Sequence, residues 1–268
     1  MKYNRVLSIA GSDSGGGAGI QADIKSISAC GSFAATAITA ITVQNTLGVS
    51  NVHAIPNQIL AEQIDAVLSD IGVDAIKIGM LHSSETIKVV ANALEKYQIE
   101  NVVLDPVMVA TSGDKLLQDE AIRTLKEVLI PKVRVITPNM PEAEVLLNAK
   151  ITNQTDIYAS AKQLAEKFET SVVLKAGHLL QDDLIDIFFD FEKNELLELK
   201  SKRIDSRNTH GTGCSMSSAF AAFLSQGFDL QDCAIKAKEY INNAILAGAD
   251  YKIGEGHGPV HHFYDFWN

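Results

Sequence analysis

The chain predicts an α/β fold: a mostly parallel central sheet with helices on both faces, in a single domain covering residues 1–268. Two observations lead there. Short apolar runs alternate with longer stretches whose apolar residues recur at helical spacing, the pattern of βαβ units. No linker, low-complexity run or internal repeat interrupts that alternation, so nothing marks a domain boundary.

Val6–Ala10 reads as a buried strand, Gly11–Gly19 as a glycine-rich loop and Ile20–Cys30 as a helix. Phe33–Val43, rich in Ala, Ile and Thr, predicts a second strand. Ile55-Pro56-Asn57 starts a helix, since proline is tolerated in a first turn, and Leu60, Ile64, Val67, Leu68 and Ile71 mark one face of it. Ala75–Gly79 is a short strand. Ser83 or Ser84 caps the next helix, with Ile87, Val90, Ala91 and Leu94 inward. Asn101–Asp105 predicts a strand ending in an acid, Glu120–Leu129 a helix and Val133–Ile136 a strand. Pro141 opens a short helix through Leu147, and Ile157, Ala161, Leu164 and Phe168 mark another. Val172–Lys175 is a strand closed by a lysine. Leu184–Phe191 and Glu195–Ile204 predict an antiparallel pair joined at Lys193-Asn194, followed by helices over Thr212–Gln226 and Leu230–Ala249.

Composition narrows the function classes. A 46% hydrophobic content supports a sizeable core. The net charge of −10, with no basic stripe or tail, argues against nucleic-acid binding but leaves room for a small phosphorylated ligand. No apolar stretch is long enough to span a bilayer, and Met1–Leu7 runs into a strand without a signal-peptide core, so a cytoplasmic protein is expected. The three cysteines form no CxxC pair; Cys30 and Cys233 read as packing residues, and a zinc site is not expected.

The run Asn208–Cys214 carries the most chemistry. A glycine-rich turn that feeds a helix leaves backbone N–H groups aimed at one point, and with the helix dipole they form an anion cradle. An ordinary loop-to-helix junction is the alternative. Cys214 falls where the helix begins, a position that lowers a thiol pKa and favours thiolate. A second glycine loop, Ala10–Asp23, lacks the Gly-Lys-Ser/Thr of a P-loop and the spacing of a dinucleotide fingerprint. Its glycines suit either close backbone approach to a ligand or tight packing.

Asp105 and Glu142, from different strand-end loops, suit Mg²⁺, which takes one or two carboxylates with phosphate oxygens. Each acid alone also suits a capping or solvated position, Glu142 a helix N-terminus above all. Lys175, in Leu174-Lys175-Ala176-Gly177-His178, closes an apolar strand and is placed to neutralise phosphate or to snorkel. In open α/β sheets ligands bind beyond the carboxyl ends of the strands, where these residues would converge. An anion cradle, a lysine, two acids and an acceptor loop are the parts of phosphoryl transfer.

These residues resemble the ribokinase-like superfamily, and within it the hydroxymethylpyrimidine and phosphomethylpyrimidine kinases of thiamine biosynthesis. The likeness runs nearly end to end, through Ala10–Asp23, Val43–Val49, Lys77–Met80, Leu104–Met108, Thr137–Ala143, Thr209–Cys214 and Gly258–Phe263. It implies a ribokinase-like fold, ATP and Mg²⁺ as cofactors and a homodimer. It implies that Gly211, Thr212, Gly213 and Cys214 form the anion hole and that Cys214 takes the substrate hydroxyl proton. Lys175 would contact nucleotide phosphates, Asp105 and Glu142 would organise Mg²⁺, and Asn139 and Thr209 would line the nucleotide side. Asp23 and Gln44 would hold the pyrimidine, with Gly11, Ala18, Val43, Met80 and Val107 around the ring. A glutamine amide matches an exocyclic amine beside a ring nitrogen, although Gln44 also suits a loop residue bonded to backbone.

The sequence departs from the family pattern at Ala176, where many members carry glycine, and at Ser14-Gly15, which replaces a common Pro-Ser. Three rival readings are a pyridoxal kinase of the same fold, a non-catalytic pyrimidine-binding regulator, and a nucleotide-dependent dehydrogenase. The last fails on the missing fingerprint.

Overall fold

The computed structural model describes residues 3–108, 117–177 and 183–267. β1 (Arg5–Asp13) leads into α1 (Gly19–Ala29), and β2 (Phe33–Asn45) turns back as β3 (Gly48–Ala54). There follow α2 (Asn57–Ala66), β4 (Ala75–Ile78), α3 (Ser84–Tyr97), β5 (Val102–Leu104), α4 (Asp119–Thr124) and β6 (Val135–Ile136). The chain continues with α5 (Met140–Leu147), α6 (Gln154–Phe168), β7 (Ser171–Leu174), β8 (Asp183–Asp190), β9 (Glu195–Lys202), α7 (Thr212–Ser225) and α8 (Leu230–Gly248).

The described strands form one nine-stranded sheet in the order β3-β2-β1-β4-β5-β6-β7-β8-β9. The six strands from β2 to β7 in that order pair in parallel, while β3, β8 and β9 run antiparallel to their neighbours. Alternate residues of each buried strand serve opposite faces, as the period of two requires. Val102 and Leu104 join the core under α2–α6, and Val103 joins the core under α7 and α8. The helix faces are amphipathic in the expected register: Ile87, Val90, Ala91 and Leu94 of α3 are all buried. Ser83 is its cap, accepting from the Thr86 N–H.

Four elements differ from the sequence expectation. β1 continues three residues beyond Ala10, through a register irregularity between Ala10 and Ser12, because Gly11 stays in the strand. β3 was not expected: its residues are exposed along nearly the whole length, so no buried alternation marks it. α2 and the helix expected over Glu120–Leu129 end in π-helical turns, Val67–Ile71 and Leu125–Leu129. Among the described residues no helix is long and apolar enough to cross a membrane.

Candidate active site

The strand order reverses between β1 and β4, because the chain leaves β1 for β2 on one side and returns to β4 on the other. Such a switch point opens a crevice at the carboxyl edge of the sheet. Gly11, Met80, Asp105, Asn139 and Lys175 all lie along that edge, on or beyond the ends of β1, β4, β5, β6 and β7. α7 packs across β1, β4 and β5, which aims its N-terminus at the same place.

Gly211 caps α7 with φ 79°, a left-handed conformation that favours glycine. A Cβ there would stand 1.8 Å from the Gly17 carbonyl oxygen, so the two glycine loops touch directly. No side chain caps this helix and no acid occupies its first turn, so the amides of Gly213 and Cys214 lie at a positive helix end beside that of Thr212, which makes only a long 3.4 Å contact to the Thr209 carbonyl. A Cβ on Gly213 would lie 3.2 Å from Lys175 Nζ and 3.4 Å from Asp105 Oδ2. Lysine, acid and anion turn therefore meet at one point.

Lys175 donates to Asp105 Oδ1 at 3.1 Å, and the Thr137 hydroxyl donates to the same oxygen at 3.2 Å. Burial disfavours the Lys175 charge, but Asp105 and Glu142 outweigh it and raise its pKa. Glu142 is buried, and burial, with the Asp105 charge adding to it, lifts its carboxyl to about 7 against the pull of Lys175. Its Oε2 accepts the Asn139 N–H at 2.8 Å while Asn139 Oδ1 accepts the Glu142 N–H at 2.9 Å. This capping box starts α5 and occupies part of both side chains. Thr209 is half-buried just before the turn, its carbonyl accepting the Thr212 N–H. His178 of the Lys175 motif lies outside the described residues.

Cys214 keeps part of its surface open at the head of α7. The expected thiolate is corrected: burial pushes the thiol up to about 11, Asp23 and Asp105 push the same way, and Lys77 and the Gly19 amide only partly offset them. Desolvation exceeds the help of the helix end.

Asp23 also differs from expectation. Its carboxylate is fully buried and accepts from Lys77 Nζ (2.8 Å), Ser8 Oγ (2.5 Å) and Ser218 Oγ (2.7 Å). It joins β1, β4, α1 and α7 beneath the crevice, where its oxygens are engaged by protein donors. Lys77 is likewise fully buried; burial opposes its charge, and Asp23, Cys214 and Asp105 reverse that and raise its pKa.

On the acceptor side Gly11 faces Met80 so closely that a Cβ would come 2.7 Å from Met80 Cε. Ala18 and Val107 are half-buried, and Val43 is exposed. Gln44 is half-buried, its Nε2 3.2 Å from His210 Nε2, which in turn lies 3.0 Å from Asp13 Oδ2. Asp13 also accepts from the amides of Gly15, Gly17 and Ala18 at 2.7, 3.0 and 2.8 Å. Burial would raise its carboxyl, but His210 and the amides of Ala18 and Gly15 hold it below the usual range.

Sequence reasoning quoted Asp13, Lys77 and His210 inside motifs and gave them no role. Lys77 carried a usable signal, a charge within an otherwise apolar strand, which requires a buried partner.

The chain matches the family model described as "Phosphomethylpyrimidine kinase" over residues 13–261. It is 46% identical over 262 residues to the "Hydroxymethylpyrimidine/phosphomethylpyrimidine kinase" of Rhizobium meliloti, covering 97% of each chain. It is 48% identical over 257 residues to the "Thiamine biosynthesis bifunctional protein ThiED" of Geobacter sulfurreducens, covering 96% of this chain and 52% of that longer protein. Among solved structures, the phosphomethylpyrimidine kinase of Clostridium difficile superposes with a TM-score of 0.80 at 40% identity, covering 90% of this chain and 99% of that one. The ADP complex of Bacillus subtilis pyridoxal kinase superposes with a TM-score of 0.90 at 34% identity, covering 100% of both.

Proposed function

The chain belongs to the phosphomethylpyrimidine kinase family, and from that premise we propose that it is an ATP- and Mg²⁺-dependent kinase of thiamine biosynthesis. Its acceptor is the hydroxymethyl group of 4-amino-5-hydroxymethyl-2-methylpyrimidine, and then the phosphate of the resulting monophosphate. The observation that carries this reading is the convergence of the Gly213 backbone on Lys175 and Asp105. Positioning and charge neutralisation supply nearly all the catalysis in phosphoryl transfer.

Each group has a stated task. The amides of Thr212, Gly213 and Cys214 meet the negative charge of the transferring phosphoryl group. Lys175, already charged, meets the nucleotide phosphates. Thr209 and Asn139 line that side. Asp105 and Glu142 fit a hard cation: burial, with the Asp105 charge adding to it, lifts the Glu142 carboxyl, and a divalent charge held there would offset both. Held by these two acids, Mg²⁺ would supply charge neutralisation of the nucleotide phosphates. Gln44 reads the amine and ring nitrogen of the pyrimidine, with Gly11, Ala18, Val43, Met80 and Val107 around it. Asp23 supports that pocket from below through Lys77, Ser8 and Ser218.

A neutral Cys214 thiol has no vacancy for the hydroxyl proton. The sulfur therefore acts by position, and the hydroxyl proton passes late to an oxygen of the transferred phosphoryl group, as a loose transition state allows. The intact set of Lys175, Asp105, Glu142 and Cys214 speaks against a non-catalytic regulator.

The proposal extends to a homodimer in the cytoplasm. Leu47, Val49 and Val52 expose an apolar face on the β2–β3 hairpin that suits a second copy, and the three free cysteines suit a reducing compartment. Light scattering giving a monomer mass at working concentration would remove the dimer. The central test is a side-by-side assay of hydroxymethylpyrimidine, its monophosphate and pyridoxal with ATP and Mg²⁺. Turnover of both pyrimidines is expected to exceed that of pyridoxal; the reverse order makes the chain a pyridoxal kinase.

A further inference from the structure

His210 Nε2 carries either one hydrogen or one lone pair, yet it faces two groups: Asp13 Oδ2 at 3.0 Å and the Gln44 amide at 3.2 Å. A carboxylate oxygen only accepts, so the contact with Asp13 requires a hydrogen on Nε2. A nitrogen that carries this hydrogen cannot also accept from an amide NH₂. The end of Gln44 beside His210 must then be its oxygen.

The other end of the amide gives the same answer independently. The Thr42 hydroxyl lies 3.1 Å from Gln44 and 2.9 Å from the Ser12 carbonyl oxygen. It has one hydrogen, and the carbonyl can only accept it. Thr42 is then left as an acceptor toward Gln44, which calls for the amide NH₂ on that side. With the amide oxygen toward His210 and its nitrogen toward Thr42, no donor faces a donor along Asp13–His210–Gln44–Thr42–Ser12, and the single Nε2 hydrogen is shared between Asp13 and the amide oxygen as a three-centre bond.

We infer that Asp13 and His210 act as positioning residues that lock the sense of the Gln44 amide and so determine which ring edge the acceptor pocket accepts. The lock is built rigidly. Asp13 cannot swing away, because three loop amides hold it. The His210 ring lies against Gly17, where a Cβ would come 2.5 Å from Cδ2, and its backbone N–H donates to the Gly258 carbonyl at 3.0 Å. A glutamine amide spends one lone pair and one hydrogen on these neighbours and keeps one of each for a ligand. Those remaining groups read an amine donor beside a ring-nitrogen acceptor in one fixed order. The inference rests on the reading of Gln44 as the group that meets the pyrimidine.

The test compares the aminopyrimidine with its 4-oxo analogue, whose carbonyl and ring N–H present the reversed pattern. The wild type is expected to prefer the amino compound in kcat/KM by on the order of 100-fold, because a buried mismatch leaves polar groups unpaired. His210→Leu frees the amide to turn and should cut that ratio at least ~10-fold, with the KM for ATP unchanged. His210→Gln places an amide nitrogen where Nε2 stands and should restore the ratio. A merely structural role would weaken both acceptors alike; an unchanged ratio in His210→Leu, or no rescue by His210→Gln, overturns the inference. Long-range ¹H–¹⁵N spectroscopy of the wild type supplies a reading that depends on no variant: hydrogen on Nε2 supports the lock, and hydrogen on Nδ1 alone overturns it. Wild-type enzyme that phosphorylates neither pyrimidine defeats the proposed function instead, while the spectroscopic result still judges the lock.

Discussion

Gly213 lies against Lys175 with no room for a side chain between them: a Cβ at 213 would stand 3.2 Å from Nζ and 3.4 Å from Asp105 Oδ2. The ammonium is the far end of a flexible chain and will yield, so Gly213→Ala should fold and melt close to the wild type. Displacing the charge that meets the phosphate should lower kcat about 10- to 100-fold. Gly211→Ala is expected to behave differently. Its left-handed conformation alone costs about 1–3 kcal/mol, and the Gly17 carbonyl blocks the new carbon outright. Thermal denaturation beside steady-state kinetics separates the two.

Cys214 supplies a pH test. With the thiol held up to about 11, a mechanism that requires thiolate in the free enzyme makes kcat/KM climb tenfold per unit from pH 7 to 9. The positional role predicts a profile without that climb. Cys214→Ser should keep the same shape, while Cys214→Ala loses about 10- to 100-fold in kcat with little change in the KM for ATP.

Glu142 links the site to stability. Its folded-state pKa of about 7 exceeds its ordinary 4.5, so between those values the folded protein binds more protons than the unfolded one. Stability from this group is full below pH 4.5, falls as pH rises toward 7, and is flat above. Glu142→Gln, which keeps an oxygen for the capping box, should flatten that fall in a melting-temperature series. Adding Mg²⁺ should stabilise the wild type above pH 7 more than the variant.

Lys77→Met leaves the Asp23 carboxyl buried without its ammonium. The expected loss is about 3–5 kcal/mol in urea denaturation. Adding Asp23→Asn should recover part of it, because Asn still accepts from Ser8 or Ser218. A double variant no better than Lys77→Met would show that the pair is not coupled.

Strands with continuous apolar runs were the plainest in the sequence, such as Asn101–Asp105 and Val172–Lys175, found at Val102–Leu104 and Ser171–Leu174, because burial on both faces leaves that mark. β3 carries no such mark, since little of it is covered. The meeting of Lys175, Asp105 and the glycine turn was legible because open α/β sheets bring strand ends together. Two local environments were not legible. The position of Cys214 at a helix start is visible in one dimension, whereas its burial comes from the packing of α7 against α1, β1, β4 and β5. The ligand-binding role that the resemblance implied for Asp23 had nothing in the local sequence to set against it, because its partners, Lys77 and Ser218, lie 54 and 195 positions away.

The bend at His210–Gly211 is buttressed from behind by the last part of the chain. Asn208 Nδ2 donates to the Gly248 carbonyl, His210 pairs with Pro259, and Ser215 Oγ lies 3.0 Å from His262 Nε2. The residues after α8 thus serve as a splint for the phosphate-binding corner. Shortening the protein from that end loosens the corner's backing before it touches any residue that meets a substrate.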